Sequence, residues 1–304
     1  MTQHFDWPPV PGNDERPVWD GEAFRIGDAR ARVLVYDENA SNWTEDLTEL
    51  HERLFGGTHF IDKASRGYAL AEIRERVAVP RPAILEVGCS SGYFLKVLHQ
   101  AMPEALVVGS DCLRRPLERV GALLHGVPLV QFDVVRCPLP SEAFDAVVLL
   151  NVLEHIEDDA GALRQVWRIL KPGGAAILEV PAGPHLYDIY DKVLLHHRRY
   201  SMRHLLSLVR ATGFTVAKRS HLGFFLYPAF SWTKRRSRRH GPLPDEAEHQ
   251  AVAESIRKSG SNALLQAMIR LELFLGRLLR YPVGIRCLVT AVKPPNPRIA
   301  GKES

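Results

Sequence analysis

The sequence predicts a doubly wound α/β fold, in which a mostly parallel sheet lies between two layers of helices. Short, continuously apolar runs recur along the chain, as expected of parallel strands that are buried on both faces. Segments with apolar residues at helical spacing separate these runs. The first run, Ala83 to Val87, enters a glycine turn, Gly88 to Gly92, and a helix follows. Strand, glycine turn and helix in this order present backbone N–H groups to a ligand at the sheet edge.

Six further strands follow the first one. They are predicted at 105–109, 127–132, 144–150, 175–180, 213–218 and 285–293. The helix at 160–170 ends at Lys171-Pro-Gly-Gly174, and Pro and Gly are common just beyond the last turn of a helix. A second helix is predicted at 202–212. Near the N-terminus, Phe24 to Ile26 and Val33 to Tyr36 predict a small hairpin around Gly27-Asp28.

Acidic residues at the ends of the first two strands indicate the kind of ligand. Glu86 lies just before the glycine turn, where a carboxylate suits an ammonium group better than a pyrophosphate. A dinucleotide site would favour Gly-x-Gly-x-x-Gly, whereas residue 90 in the middle position is Ser. Asp111 ends the second strand, about 20 residues beyond the loop, where an acidic side chain can accept hydrogen bonds from ribose hydroxyls.

Taken in order, these motifs resemble the class I S-adenosylmethionine-dependent methyltransferases, in their small-molecule branch. The resemblance covers roughly residues 60–220 and includes Asn151-Val-Leu-Glu-His155 and Leu170-Lys-Pro-Gly-Gly174. It implies a Rossmann-like seven-stranded sheet whose last strand is antiparallel, and S-adenosyl-L-methionine as cofactor. The implied cofactor-binding residues are Glu86, Gly88, Cys89, Ser90, Gly92, Asp111, Asp133, Val134, Asn151 and Arg66. Asp133 and Val134 would contact the adenine, and Arg66 either holds the methionine carboxylate or is a solvated helix residue.

The loop that follows the fifth strand, residues 181–201, is the predicted acceptor side. It leaves the carboxyl edge of the sheet, where open α/β sheets bind ligands, and it is long for such a unit. Neutral His can act as a general base near pH 7, so the candidate catalytic residues are His155, His196 and His197. His155 is equally well explained as a structural residue that shapes the pocket.

The candidate substrate-binding residues are Tyr187, Tyr190, Arg199 and Tyr200. The alternative is that Arg198, Arg199 and Tyr200 only anchor the next helix, for which Ser201 is a suitable N-cap.

The predicted domain organisation has three parts. Residues 1–78 form an N-terminal extension and helical lid, 79–293 the methyltransferase domain, and 294–304 a tail. An insert at 222–284 separates the last two strands, and it carries aromatic residues, the basic run Lys234–Arg239 and a helix near 262–280. We expect the insert to cap the substrate, with its basic run solvated. Contact with a membrane surface is the alternative.

Composition argues against secreted, membrane-spanning and nucleic-acid-binding classes of protein. The chain has 304 residues, 46% hydrophobic and 24% charged, as in soluble globular proteins. We expect no secretory signal and no membrane span. The four cysteines are dispersed, which favours reduced thiols in a cytoplasmic protein and predicts no metal site. A net charge of +4 is too small to indicate a nucleic-acid partner.

These observations together predict methyl transfer to an oxygen or nitrogen of a small-molecule or glycoconjugate acceptor. Three alternatives stay open: a membrane-surface methyltransferase with a lipid-linked acceptor, a dehydrogenase-type domain with another cofactor, and a non-catalytic scaffold. The fold alone assigns no acceptor.

Overall fold

The computed structural model describes residues 5–37, 57, 59–237, 263–276 and 278–295. The strands in these ranges are β1 Val18–Trp19, β2 Phe24–Ile26, β3 Ala29–Ala31, β4 Val33–Val35, β5 Ala83–Val87, β6 Leu106–Asp111, β7 Leu129–Gln131, β8 Phe144–Leu150, β9 Leu170–Pro181, β10 Thr215–Leu222 and β11 Arg286–Val292. The helices are α1 Phe60–Arg76, α2 Tyr93–Ala101, α3 Arg114–Leu123, α4 Asp159–Ile169, α5 Ile189–Val193, α6 Met202–Ala211, α7 Tyr227–Ser237 and α8 Ala263–Leu275. The predicted lid positions before residue 57, the middle of the insert and the end of the tail lie outside the described residues.

Eight strands form the main sheet, in the order β10-β11-β9-β8-β5-β6-β7-β4. Only β11 runs against its neighbours, since it pairs antiparallel with both β10 and β9. The predicted α/β class and the antiparallel last strand are therefore confirmed. The order reverses between β5 and β8, and the carboxyl ends of these two strands open the crevice where such sheets bind ligands.

Alternate residues of the central strands enter two separate cores. Leu85, Val147 and Leu178 pack into the core on one face of the sheet. Ile84, Val148 and Ile177 pack into the core on the other face. Every residue of β5 is buried, as expected for a strand covered by helices on both sides.

The sheet has one strand more than predicted. The prediction that Val33 to Tyr36 forms a hairpin with Phe24 to Ile26 is wrong. Strand β2 pairs with β3 instead, and β4 joins the main sheet parallel to β7. Leu34 is 1% exposed there, so docking buries an apolar side chain that a free hairpin would expose. Arg32 holds β4 in place beside β7, because its guanidinium donates to the carbonyls of Gly121 and Val127 at 3.2 and 3.0 Å.

No helix among the described residues combines the length and the apolar content that crossing a membrane requires.

Candidate functional site

A cavity of about 640 Å³ lies at the carboxyl ends of β5, β6 and β8. Its walls come from the glycine loop, the ends of the three strands, helix α1, the loop 181–201 and helix α7. Segments distant in sequence therefore meet in one space.

The glycine loop adopts backbone conformations that favour small residues. Gly88, Ser90 and Gly92 have φ angles of 71°, 44° and 70°. A Cβ at Gly88 would lie 2.6 Å from Val152 Cγ2, so a side chain here would force Val152 to shift and would also be strained at this positive φ. Gly92 begins helix α2 directly behind the loop.

Asp111 connects the glycine loop to the end of β6. Its Oδ2 accepts a hydrogen bond from the Ser90 amide at 2.9 Å, and its Oδ1 accepts one from Leu113 at 3.0 Å. Burial raises the pKa of Asp111, and the two backbone N–H groups oppose that rise. The amide and the thiol of Cys112 also interact with this carboxylate, and Asp111 lines the cavity.

Asp133 is held in a similar way, by the Val135 amide at 3.0 Å from its Oδ1. This bond caps the short 3₁₀ turn Val134–Arg136, and Asp133 and Val134 both line the cavity.

Glu86 and Arg66 bring opposite charges to the same cavity. Glu86 is 5% exposed, and its Oε2 has no hydrogen-bond partner within the described part of the chain. Burial raises the pKa of Glu86 well above its usual value, while the positive charge of Arg66 acts in the opposite direction. Arg66 lies on α1, where it donates to the Gly57 carbonyl and sits 5.7 Å from the centre of the Tyr93 ring.

A polar network joins the end of β8 to the helix above it. Asn151 has a φ of 55°, which Asn tolerates better than most residues, and its side chain donates to Glu179 Oε1 at 3.1 Å. Arg286 also donates to this oxygen, at 2.7 Å, and reaches Asp62 of α1 at 2.6 Å. The network holds α1 over the cavity, and sequence reasoning missed Glu179 and Arg286. The sequence signal that could have identified Glu179 is that it is an acidic residue inside the apolar run of β9.

Where the loop 181–201 meets the end of β8, Glu154, His155 and His196 form a polar cluster. One ligand-type atom of each residue lies within 4.8 Å of those of the others, and the two imidazole centroids are 4.7 Å apart. Glu154 is 0% exposed, and neither carboxyl oxygen has a hydrogen-bond partner among the described residues. Burial raises the pKa of Glu154 to about 8.

Asp191 orients His196. The Nδ1 of His196 lies 2.8 Å from Asp191 Oδ1, and because a carboxylate only accepts, Nδ1–H donates and Nε2 remains available. Arg199 Nε donates to both oxygens of Asp191 at 2.8 Å. Burial alone would raise the pKa of Asp191, but the bond from His196 and the charge of Arg199 lower it overall. Burial lowers the pKa of His196, and Asp191 offsets part of that change.

The cavity contains most of the residues selected from the sequence. Every predicted cofactor-binding residue except Gly92 lines it, as do His155, His196, Tyr190 and Arg199. His197 is exposed, and its backbone amide donates to the Glu154 carbonyl at 2.7 Å. The Tyr187 hydroxyl donates to the His196 carbonyl at 2.8 Å, so it supports the loop from outside the cavity wall.

Tyr200 and Arg198 have anchoring contacts. Tyr200 is fully buried, and its hydroxyl donates to Asp159 at 2.8 Å. Arg198 bonds the same carboxylate at 2.7 Å. Ser201 accepts from the His204 amide at 3.2 Å and caps α6. We therefore leave Tyr200 out of the proposed acceptor site.

Helix α7 closes the cavity from the insert. Phe230 and Lys234 line it, and Lys234 bonds Asp188 and lies 3.8 Å from Asp191. The expectation of a solvated basic run is therefore wrong for Lys234, which is buried because two carboxylates face it. Trp232 on the same helix is 63% exposed.

Other aromatic residues of the insert pack against each other. Phe224 and Phe225 both contact Tyr281, with ring centroids 5.1 and 6.3 Å away. They stabilise the insert itself and do not line the cavity.

Similarity to known proteins agrees with this geometry. Residues 85–178 match the family described as a methyltransferase domain. A demethylmenaquinone methyltransferase from Deinococcus radiodurans is 28% identical over 166 residues, which cover 52% of this chain and 68% of the relative. A ubiquinone biosynthesis O-methyltransferase from Pseudomonas putida is 29% identical over 150 residues, covering 48% of this chain and 60% of the relative.

Among solved structures, a similar one is phosphoethanolamine N-methyltransferase 2 from Haemonchus contortus in complex with S-adenosyl-L-methionine. It aligns with a TM-score of 0.52 and 18% identity, over 84% of this chain and 58% of the other. An identity this low supports the fold alone. Residues 85–178 therefore form a methyltransferase domain, and the relatives and the fold together support a class I S-adenosylmethionine-dependent enzyme with S-adenosyl-L-methionine as cofactor.

Proposed function

We propose that this enzyme methylates a hydroxyl oxygen of a small-molecule acceptor, bound under helix α7 in the cavity that also receives the cofactor. The observation that carries the proposal is the continuity of this cavity. It joins Glu86 and Asp111 at the ends of β5 and β6 to Glu154 and His196 on the acceptor side.

The cofactor side fits S-adenosylmethionine by its chemistry. The Glu86 oxygen that has no partner among the described residues suits the ammonium group, and Arg66 suits the carboxylate. Asp111 lines the cavity, where its carboxylate suits ribose hydroxyls, and Asp133 with Val134 suits the adenine. When bound, the cofactor supplies an electrophilic methyl group.

The acceptor side combines apolar walls with one polar end. Leu194, Leu226 and Phe230 line the walls and would exclude water around an apolar acceptor. The polar end is the cluster of Glu154, His155 and His196. We infer that the walls orient the acceptor, because holding two reactants in the reactive geometry supplies much of the rate in a transfer of this kind.

The polar cluster favours oxygen over nitrogen as the methylated atom. A hydroxyl becomes a good nucleophile only as it loses its proton, whereas a neutral amine already has a reactive lone pair. Polar groups beside the reacting atom therefore matter most for a hydroxyl. The relative from Pseudomonas putida is by name an O-methyltransferase, which agrees with this choice.

The experiment is a screen with methyl-labelled S-adenosylmethionine against paired hydroxyl and amine acceptors, with the labelled atom located in each product. We expect label on oxygen. His196→Gln should lower turnover by about 10²–10⁴ while affinity for S-adenosylhomocysteine stays the same. The matched control is His204→Gln, an exposed histidine on α6. Label found only on nitrogen, or full turnover by His196→Gln, would contradict the proposal.

A further inference from the structure

The cluster of Glu154, His155 and His196 has the composition of a metal site. We infer that it binds one divalent transition-metal ion, which activates the acceptor hydroxyl. The inference rests on the proposed function, because it concerns the same end of the same cavity. The sequence predicted no metal site, since Glu154 and His155 are adjacent and His196 enters only when the loop 181–201 folds back onto them.

The carboxyl group of Glu154 is the first reason. It is fully buried, and both of its oxygens are without hydrogen-bond partners in the described ranges. A buried polar group without hydrogen-bond partners is costly, and coordination to a bound cation would give both oxygens a partner. Arg286 and Arg199 are the cations nearby, and they bond Glu179 and Asp191 instead.

The support behind His196 is the second reason. Histidines that bind metals commonly donate their other ring nitrogen to a carboxylate, which fixes the tautomer and the ring orientation. His196 donates Nδ1–H to Asp191 in this way, at 2.8 Å. Arg199 in turn bonds both oxygens of Asp191, so the carboxylate itself is held in place.

Two imidazoles and one carboxylate select the class of metal. Mg²⁺ and Ca²⁺ prefer ligand sets made of oxygen, whereas Zn²⁺, Mn²⁺, Fe²⁺ and Co²⁺ accept imidazole. Bonds of about 2.0–2.2 Å place tetrahedral ligand atoms roughly 3.3–3.6 Å apart. The three ligand atoms lie within 4.8 Å of one another, so side-chain shifts of at most about an ångström bring them into range. Three protein ligands leave a coordination position for the acceptor oxygen.

The cation would act as a Lewis acid in the methyl transfer. It polarises the acceptor O–H bond, and the proton passes to water. A lone pair of the oxygen forms the new C–O bond, and the electron pair of the breaking C–S bond stays on sulfur. The products are the methyl ether, S-adenosylhomocysteine and one released proton. The metal is neither oxidised nor reduced.

Co²⁺ is the probe for the test, because its visible absorption changes when protein ligands bind it. Chelator-treated full-length protein is titrated with Co²⁺, alongside Glu154→Gln, His196→Gln and the exposed control His204→Gln. We expect saturable binding at one equivalent in the wild type and the control. Loss of either ligand should weaken binding by at least about 100-fold, since even changes to groups behind the ligands cost 10–100-fold. Circular dichroism and affinity for S-adenosylhomocysteine report whether each variant is folded.

Two results would overturn the inference. One is wild-type protein that binds S-adenosylhomocysteine but shows no saturable Co²⁺ binding. The other is Glu154→Gln binding Co²⁺ as tightly as wild type. Either result leaves the proposed O-methylation standing. Conversely, methylation found only on nitrogen overturns the proposed function and, with it, the role of the metal in activating a hydroxyl, whereas the Co²⁺ titration still tests metal binding by itself. Metal-dependent recovery of methyl transfer after chelation would support both.

Discussion

Replacing Asp111 with Ala tests whether the end of β6 holds the cofactor's ribose. The carboxylate accepts hydrogen bonds from the amides of Ser90 and Leu113, at 2.9 and 3.0 Å, and it lines the cavity, where a ribose hydroxyl can reach it. A hydrogen bond to a charged group contributes about 1.5–3 kcal/mol. Losing one ribose bond should therefore weaken binding of S-adenosylhomocysteine by roughly 10- to 150-fold, and losing two by more. Isothermal titration calorimetry measures this change directly.

Asp145→Ala is the matched control. Asp145 is also a strand-end aspartate that accepts a backbone amide, from Ala83 at 2.8 Å, and it pairs with Lys171 at 2.7 Å. It lies at the amino end of β8, opposite the cavity. Both substitutions leave a backbone N–H without its acceptor and should lower the free energy of unfolding by about 1–3 kcal/mol for each such group. Only Asp111→Ala should change the affinity. Equal affinity in Asp111→Ala and wild type would refute the assignment.

Three further predictions concern the insert and the buried charges around it. Lys234→Met removes a buried cation from beside two aspartates and should lower the free energy of unfolding by about 3 kcal/mol. Arg235 is exposed on the same helix, so Arg235→Met should change the free energy of unfolding by less than about 0.5 kcal/mol. Urea denaturation compares them, and equal effects would contradict the buried pairing. Burial lowers the pKa of His221 below its usual 6.5, although its bond to the Tyr281 carbonyl opposes this. Stability is therefore retained above pH 6.5 and falls as the pH drops below it, because the unfolded chain takes up the proton first. His221→Gln should lose less stability than wild type between about pH 7.5 and about pH 5.5, and an identical loss would show that this residue is not responsible. Finally, we expect the protein to stay in the supernatant with phosphatidylserine vesicles, although Trp232 is exposed. Salt-sensitive co-sedimentation would favour the membrane-surface alternative, because each basic side chain near anionic lipid contributes about 1 kcal/mol.

The central strands, and the meeting of the glycine loop with the strand-end acidic residues at one cavity, were predictable from the sequence. The bounds of β5 and β8 agree with the predicted ones. Glu86, Gly88 and Asp111 meet in the cavity because each follows from a local rule: a strand ends, a turn needs small residues, and parallel strands end at one edge. Such rules depend on neighbours in the chain, and those neighbours are visible in the sequence.

Only the tertiary structure decided the end of the cavity that the loop 181–201 lines. Glu154 and His196 meet because the His197 amide bonds the Glu154 carbonyl, which turns the loop 181–201 back over the strand ends. The burial of Lys234 depends on how α7 docks onto that loop. These contacts join segments far apart in the chain, and their energy comes from burying charges against each other. The spacing of residues along the chain does not show which distant charges will pair. The strand, turn and helix around the glycine loop, in contrast, are set by local geometry.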